Sequence, residues 1–213
     1  MQITIIGAGN MGGGIATRAL AGGHSVRLTD KNPAKAKALA EELRHRVPGA
    51  DVADSGPAAV GQADIVVLAL PFPAGKDVAA SYGEQLAGKV VVDICNPVDF
   101  STFDSLVVPP GTSAAEQIAA AAAGACVVKA FNTTFAGNLV AGEGGGAPLD
   151  VFIAGDDAEA KQAVADLASS GGLRPIDAGP LRRARELEGF QFLHMTLQQT
   201  LGTGWSSAIK ILG

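Results

Sequence analysis

The 213-residue chain is short of the side chains that build most active sites. It holds three His, two Cys, one Trp and one Tyr, and Asp, Glu, Lys and Arg together make up only 17%. With no Cys–His pairing, no GxSxG and no metal-ligand spacing, no nucleophile–base pair stands out. No catalytic side chain and no metal ligand is therefore assigned. Cys95 and Cys126 each lie in or beside an apolar run, which suits buried thiols rather than a disulfide framework. The formal net charge is −5, and no basic run or aromatic–basic cluster offers a nucleic-acid surface. The densest basic stretch, Arg182-Arg183-Ala184-Arg185, is followed by Glu186 and Glu188 and reads as a solvated helix face. No apolar run approaches the roughly 18 residues of a membrane span. The first strand begins at residue 2, which leaves no place for a signal sequence. A soluble, cytoplasmic protein with neither membrane nor nucleic-acid partner is predicted.

What the chain has in abundance is small and apolar: 47% hydrophobic residues and 28 Gly. That is enough for one large α/β domain with tight helix–sheet contacts and perhaps a small appendage. The opening stretch, QITIIGAGNMGGG, organises the rest. Ile3 to Ile6 suit a strand buried on both faces. Gly7-Ala8-Gly9-Asn10-Met11-Gly12 follows at once, and a helical pattern runs on through Leu20, so GxGxxG sits between strand and helix. Gly7 permits the tight turn, Gly9 lets a pyrophosphate approach the backbone, and Gly12 lets helix and strand pack closely. Amides at the helix start would then face the phosphates. A dinucleotide is the predicted ligand.

A second strand over 25–29 ends at Asp30, about 20 residues past the glycines. A carboxylate there would bond the adenosine ribose and favour NAD(H), unless Asp30 only caps the helix that follows. Lys31 beside it could pair with a 2′-phosphate and favour NADP(H). His24 reads as a structural residue at the strand entry. Residues 47–62 suggest a short helix and turn. Strands over 64–70, 89–95 and 126–131 end in Leu70-Pro71-Phe72, Asn96-Pro97 and Asn132-Thr133-Thr134, and the carboxyl ends of such strands line the ligand crevice. Helices are predicted over 78–86, 113–123 and 157–169, and further strands over 150–154 and 173–177. The stretch 100–110 reads as a loop, and 136–146 as glycine-rich and mobile. After Gly179-Pro180, residues 181–201 form one long amphipathic helix with Leu187, Phe190, Leu193, His194 and Leu197 on one face. His194 reads as a core or interface residue. Trp205 on the tail could cap a pocket or pack at a dimer contact. The predicted class is a Rossmann-type, doubly wound α/β fold with a mostly parallel sheet. Residues 1–180 form the dinucleotide-binding domain, and 181–213 a small C-terminal helical segment.

The crevice residues so placed are amides, hydroxyls and apolar walls, better suited to holding two flat rings than to moving protons. Hydride transfer between two cofactors requires mainly distance, orientation and exclusion of water. Several stretches also carry a resemblance: IGAGNMG at the start with Gly-His after the first helix, LPF at Leu70, SAAE at Ser113, VVKAFNT over 127–133, GDD at Gly155 and LRPIDAGPL over 173–181. Together they resemble the coenzyme F420-dependent NADP oxidoreductase family. The resemblance implies a Rossmann domain with a small helical C-terminal part, often paired as a homodimer. It implies hydride transfer between nicotinamide C4 and C5 of a deazaflavin such as coenzyme F420, or a related flavin. It sets Asn10 and Met11 at the pyrophosphate turn, Leu70 and Pro71 along the dinucleotide, and Asn132 and Thr134 toward the deazaflavin. Two other readings remain open. One is a non-catalytic dinucleotide-binding or redox-sensing module. The other is a small imine or hydroxy-acid dehydrogenase.

Overall fold

The computed structural model describes residues 1–212. Its first half repeats strand and helix: β1 (Gln2–Ile6), α1 (Asn10–Ala21), β2 (Ser25–Thr29), α2 (Pro33–Arg46), β3 (Val52–Asp54), α3 (Ala59–Gln62), β4 (Ile65–Leu68), α4 (Phe72–Tyr82) and β5 (Val90–Asp93). There follow α5 (Ala114–Ala121), β6 (Cys126–Lys129), α6 (Ala136–Ala141), a small hairpin of β7 (Glu143–Gly144) and β8 (Ala147–Pro148), β9 (Asp150–Gly155), α7 (Ala158–Ser170), β10 (Arg174–Gly179) and α8 (Ala184–Leu201). The main sheet runs β10-β9-β6-β5-β4-β1-β2-β3. From β3 to β6 the strands are parallel, in the order that two mononucleotide-binding halves produce. The fold class is thus Rossmann-type, as the sequence indicates.

Both faces of the central strands are covered, which is why β1, β4 and β5 are mostly β-branched. Ile3, Ile5, Ile65, Val67 and Val92 face one layer, made by α1, α2, α6 and α7. Val66, Leu68, Val91 and Val127 face the other, with Phe72, Ala79 and Ile118 of α4 and α5. Each such side chain withdrawn from water contributes about 2 kcal/mol.

The structure departs from the sequence reading in five places. Residues 47–62 hold the edge strand β3 as well as a short helix; with only Val52 buried, no alternation betrays it. Helix α4 begins at Phe72 rather than near Val78. Pro71 is its N-cap and Pro73 sits in the first turn, where a missing N–H costs nothing. The stretch 136–146 is not loose: it forms α6 and half of the hairpin, and Leu139 is fully buried. Gly14 makes this possible, because a Cβ there would collide with Leu139. Strand β10 extends to Gly179. Finally, α8 buries Leu187, Glu188, Gln191, His194 and Gln198, while Phe190, Leu193, Leu197 and Leu201 are exposed.

Strands β9 and β10 pair in parallel with each other, but β9 meets β6 antiparallel, through only Val128–Gly155 and Lys129–Ala154. The remaining residues of β9 therefore run past the carboxyl end of β6. Helix α8 starts from this overhang and packs Leu187 against Phe152 and Ala154. The C-terminal tail folds back to the far tip of the overhang. There Asp150 accepts hydrogen bonds from Arg174 (2.8 and 2.6 Å), Lys210 (2.8 Å) and the Ile211 amide (2.8 Å). Burial works to raise the Asp150 pKa, and these donors more than reverse it, lowering it from 3.8 to about 2. A carboxylate with a depressed folded-state pKa anchors fully above its unfolded value and lets go as pH falls through the folded one. The protection factor of the Ile211 amide, the intrinsic exchange rate divided by the observed rate at the same pH, should thus be high at pH 7 and fall as pH approaches 2. Asp150→Asn should exchange fast already at pH 7. Equal protection in both proteins would show that the tail is held by other contacts.

Candidate active site

The carboxyl ends of β1, β4, β5 and β6 lie side by side at one edge of the parallel sheet, and the turn after β1 stands at that edge. Gly7 has φ +112° and donates its N–H to Thr29 O (2.8 Å). A Cβ on Gly7 would overlap Ala69 O, and one on Gly12 would overlap Gly7 O, so both positions exclude any side chain. Gly9 differs: a Cβ there meets nothing within 4 Å. Helix α1 begins at this point with no side-chain cap and no acidic residue in its first turn. The amides of Asn10, Met11 and Gly12 have no helical carbonyl to bond, and the positive end of the helix dipole is bare. Gly9 and Asn10 are exposed, and Met11 is half-buried. Gly9 and Asn10, but not Met11, line a groove of about 660 Å³ that also includes Lys35, Glu42 and Arg46 of α2.

At the tip of β2, Asp30 is half-buried. One carboxylate oxygen accepts from Ala8 N–H (2.9 Å) and the other from Asn32 N–H (2.9 Å). The cap of α2 is Asn32, whose Oδ1 accepts from Ala34 N–H (3.1 Å), and not Asp30. Burial pushes the Asp30 carboxyl up, but the Asn32 and Ala8 amides, Lys35 and Lys31 together hold it below the usual carboxylate value. It is an anion that ties the glycine turn to β2, with lone pairs to spare. Lys31 is exposed beside it. Lys35 escaped the sequence reading, although one helical turn separates it from Lys31 and sets both near Asp30.

The ends of β4 and β5 border a separate pocket, lined by Pro71, Phe72, Asn96 and Pro97. Leu70 is half-buried, Pro71 is exposed, and Phe72 turns into the α4 side of the core. Cys95 Sγ donates to Leu70 O (3.1 Å), joining the β4 and β5 loops. Burial and the adjacent Asp93 raise the Cys95 pKa well above its ordinary value, so it presents a thiol and no thiolate nucleophile. Asn96 and Asn132 are paired. Asn96 Nδ2 donates to Asn132 O (2.9 Å), and Asn132 Nδ2 donates to Asn96 Oδ1 (3.0 Å) and to Leu187 O of α8 (3.2 Å). Thr134 is buried and donates its hydroxyl to Phe131 O (2.7 Å). Phe131 itself has φ +62°, a left-handed backbone that a bulky residue adopts only under constraint. Asn132 Oδ1 and Thr133 Oγ1 are buried without a partner among the described residues.

Trp205 stands apart from these groups. It is exposed and packs edge-on against Phe135 (5.3 Å between centroids), which stacks on His194 (4.6 Å). Trp205, Phe103 and Met195 line a second cavity of about 780 Å³ along α8. Phe103 and Trp205 both have left-handed backbones.

Residues 2–97 match the family described as NADP oxidoreductase, coenzyme F420-dependent. Over 219 residues the chain is 32% identical to the F420-dependent NADP reductase of Methanocaldococcus jannaschii, with 96% of each chain covered. The protein belongs to this family of oxidoreductases. A further F420-dependent NADP reductase, from Methanothermobacter thermautotrophicus, is 32% identical over 88% of this chain and 85% of its own. The metalloreductase STEAP3 of Rattus norvegicus is 33% identical over 88% of this chain, but the match spans only 36% of that longer protein. A solved structure from Arthrobacter sp. FB24, named as a candidate F420-dependent NADP reductase, superposes with a TM-score of 0.84 at 31% identity, covering 99% of both chains. Membership of the family accords with the crevice, where no thiolate or nucleophile–base pair is set up.

The open space at Gly9 separates binding from folding. Gly9→Ala should leave the melting temperature unchanged while weakening dinucleotide binding by roughly tenfold or more, about 1.4 kcal/mol. Calorimetric titration beside a thermal melt checks this. Equal affinity in the variant would mean that no phosphate rests on this turn.

Proposed function

We propose that the protein is an NADP(H)-dependent reductase that transfers a hydride between the nicotinamide and a deazaflavin- or flavin-type acceptor such as coenzyme F420. The bare amino end of α1, with the open cradle at Gly9, is the observation that carries this reading. The full-length relatives named F420-dependent NADP reductases support it. A bound nicotinamide supplies the hydride. The amides of Asn10, Met11 and Gly12 would take up the diphosphate charge. Leu70 and Pro71 would border the dinucleotide and help exclude water, with Phe72 supporting them from the core. Asn96 would orient the nicotinamide side. Asn132 and Thr134, with the unpartnered Asn132 Oδ1 and Thr133 Oγ1, would supply polar contacts where the two rings meet. The cavity beside Trp205 would take the part of the acceptor remote from its reacting ring, and residues 181–213 would act as a separate unit that forms its wall. The protein would work in the cytoplasm as a homodimer, joined along the exposed stripe of Phe190, Leu193, Leu197 and Leu201.

At the adenosine end two effects oppose each other. The Asp30 anion disfavours a 2′-phosphate, while Lys31 and Lys35 attract it. With two cations against one carboxylate already engaged by two amides, NADP(H) is the favoured form, and NAD(H) should bind more weakly. Asp30→Ser should raise NADPH affinity relative to NADH; Lys35→Ala should lower it. An unchanged ratio in both variants would remove this end from the specificity argument.

Turnover is tested by mixing NADPH with coenzyme F420, FMN or FAD and following the loss of reduced-nicotinamide absorbance. Oxidation that requires a deazaflavin or flavin is expected. Tight NADPH binding without turnover on any of them would favour a sensing module. Turnover of a small imine or hydroxy acid instead would favour a dehydrogenase.

A further inference from the structure

Below the crevice lies a set of charges that the proposed reaction does not use. Lys129, the last residue of β6, has no exposed surface, and neither has Asp93, the last residue of β5; the Glu188 side chain of α8 is 1% exposed. Lys129 Nζ donates to Asp93 Oδ2 (2.8 Å), to Glu188 Oε1 (2.8 Å) and to Cys95 O, so all three ammonium protons are used. Glu188 also accepts from the first two amides of α5, Ala114 N–H (3.0 Å) and Ala115 N–H (3.3 Å). One carboxylate from the C-terminal helix thus holds the end of β6 and the start of α5, and through Lys129 it reaches Asp93 and the segment after β5. The residue before it, Leu187, lends its carbonyl to Asn132, which is paired with Asn96.

The geometry points to Glu188 as a positioning residue, the tie through which α8 sets the Asn96–Asn132 pair and hence the wall that the second redox partner meets. Among the described residues no hydrogen bond links Glu188 to the glycine turn: the groups its carboxylate bonds lie on β6 and α5. Loss of the tie therefore separates the two halves of the site. The dinucleotide phosphates are still held at α1, and the acceptor loses its wall. Glu188→Gln is the fitting change because Lys129 keeps Asp93 as counter-charge, so no unpaired ion is left inside. The amide then turns N–H groups toward Lys129 or the α5 amides, which are themselves donors, and the three-way tie cannot close.

The inference rests on the proposed hydride transfer for its kinetic readout but not for its structural one. Trp205 is the only Trp. It follows α8 and packs on Phe135, so its emission reports the seating of α8 with no acceptor present. In Glu188→Gln, NADPH affinity should stay within about twofold, the KM for the acceptor should rise by about 10- to 100-fold, and Trp205 emission should move to longer wavelength. Arg185→Ala, which breaks the exposed α5–α8 pair of Arg185 with Glu116, should change none of the three. If Glu188→Gln does not fold, Glu188→Asp, with the charge kept and the reach shortened, should show the same split to a smaller degree. Unchanged acceptor KM and unchanged emission in a folded variant would overturn the proposal. So would parallel loss of NADPH and acceptor binding, or an equal effect of Arg185→Ala. If the unsubstituted protein reduces no acceptor, the proposed function fails. The tie then stands or falls on NADPH affinity and Trp205 emission alone.

Discussion

Two backbone-to-backbone contacts set the geometry on which the rest of the structure depends. Gly7 lies against the carbonyl of Ala69, and Gly12 against the carbonyl of Gly7, each closer than any side chain would permit. These contacts bring β1, β4 and the first turn of α1 into a single knot. They force the helix to start at the edge of the sheet with its amides bare. Asp30 completes the knot from β2 by accepting the Ala8 N–H. An anion-binding end on α1 is therefore a by-product of how tightly the strands and helix must meet, and the same three glycines serve packing and ligand approach in different proportions.

The second fixed point is electrostatic, and it is costly. Taking three ions out of water carries a penalty of several kcal/mol each before their attraction is counted. An apolar trio of similar volume could stabilise the core as well or better. What an apolar trio cannot do is specify direction. The ammonium of Lys129 demands three acceptors at set angles, and it finds two at the end of β5, Asp93 and Cys95, and one across on α8, Glu188. Burial works to strip its proton, and Asp93 and Glu188 more than restore it, raising the Lys129 pKa above the ordinary value. The Glu188 pKa is raised by burial despite Lys129. Orientation rather than stability is the physical return on this arrangement.

Much of the fold was legible because parallel strands covered on both faces leave plain apolar runs, as Ile65–Leu68 and Val90–Asp93 do. The glycine turn was legible because its spacing has a mechanical cause. Three features were hidden. Strand β3 buries a single side chain, so no period announces it. Helix α6 is rich in small residues, and its order comes from Gly14 on α1, a contact remote in sequence. The inward face of α8 was misjudged because apolar periodicity marks where water is avoided, and here the buried side is occupied by Glu188, Gln191, His194 and Gln198 satisfying one another and their neighbours. Lys129 held a readable signal: a cation closing an apolar strand requires a counter-charge somewhere. Its partners, 36 and 59 residues away, could not be named from the sequence. The crevice residues were reached through strand ends, while Lys35 and Phe131 needed coordinates.

The short joint between β6 and β9 has a consequence for precision. Only Val128–Gly155 and Lys129–Ala154 register the overhanging strands against the rest of the sheet. Within the sheet, β9 and β10 take their register against the parallel strands from that seam. A slip of one residue would carry the overhang along β6 by about 3.3 Å and exchange its inner and outer faces. The joint behaves like the zero mark of a gauge, and the Lys129 ammonium, sitting on one of its two graduations, latches it at a single setting.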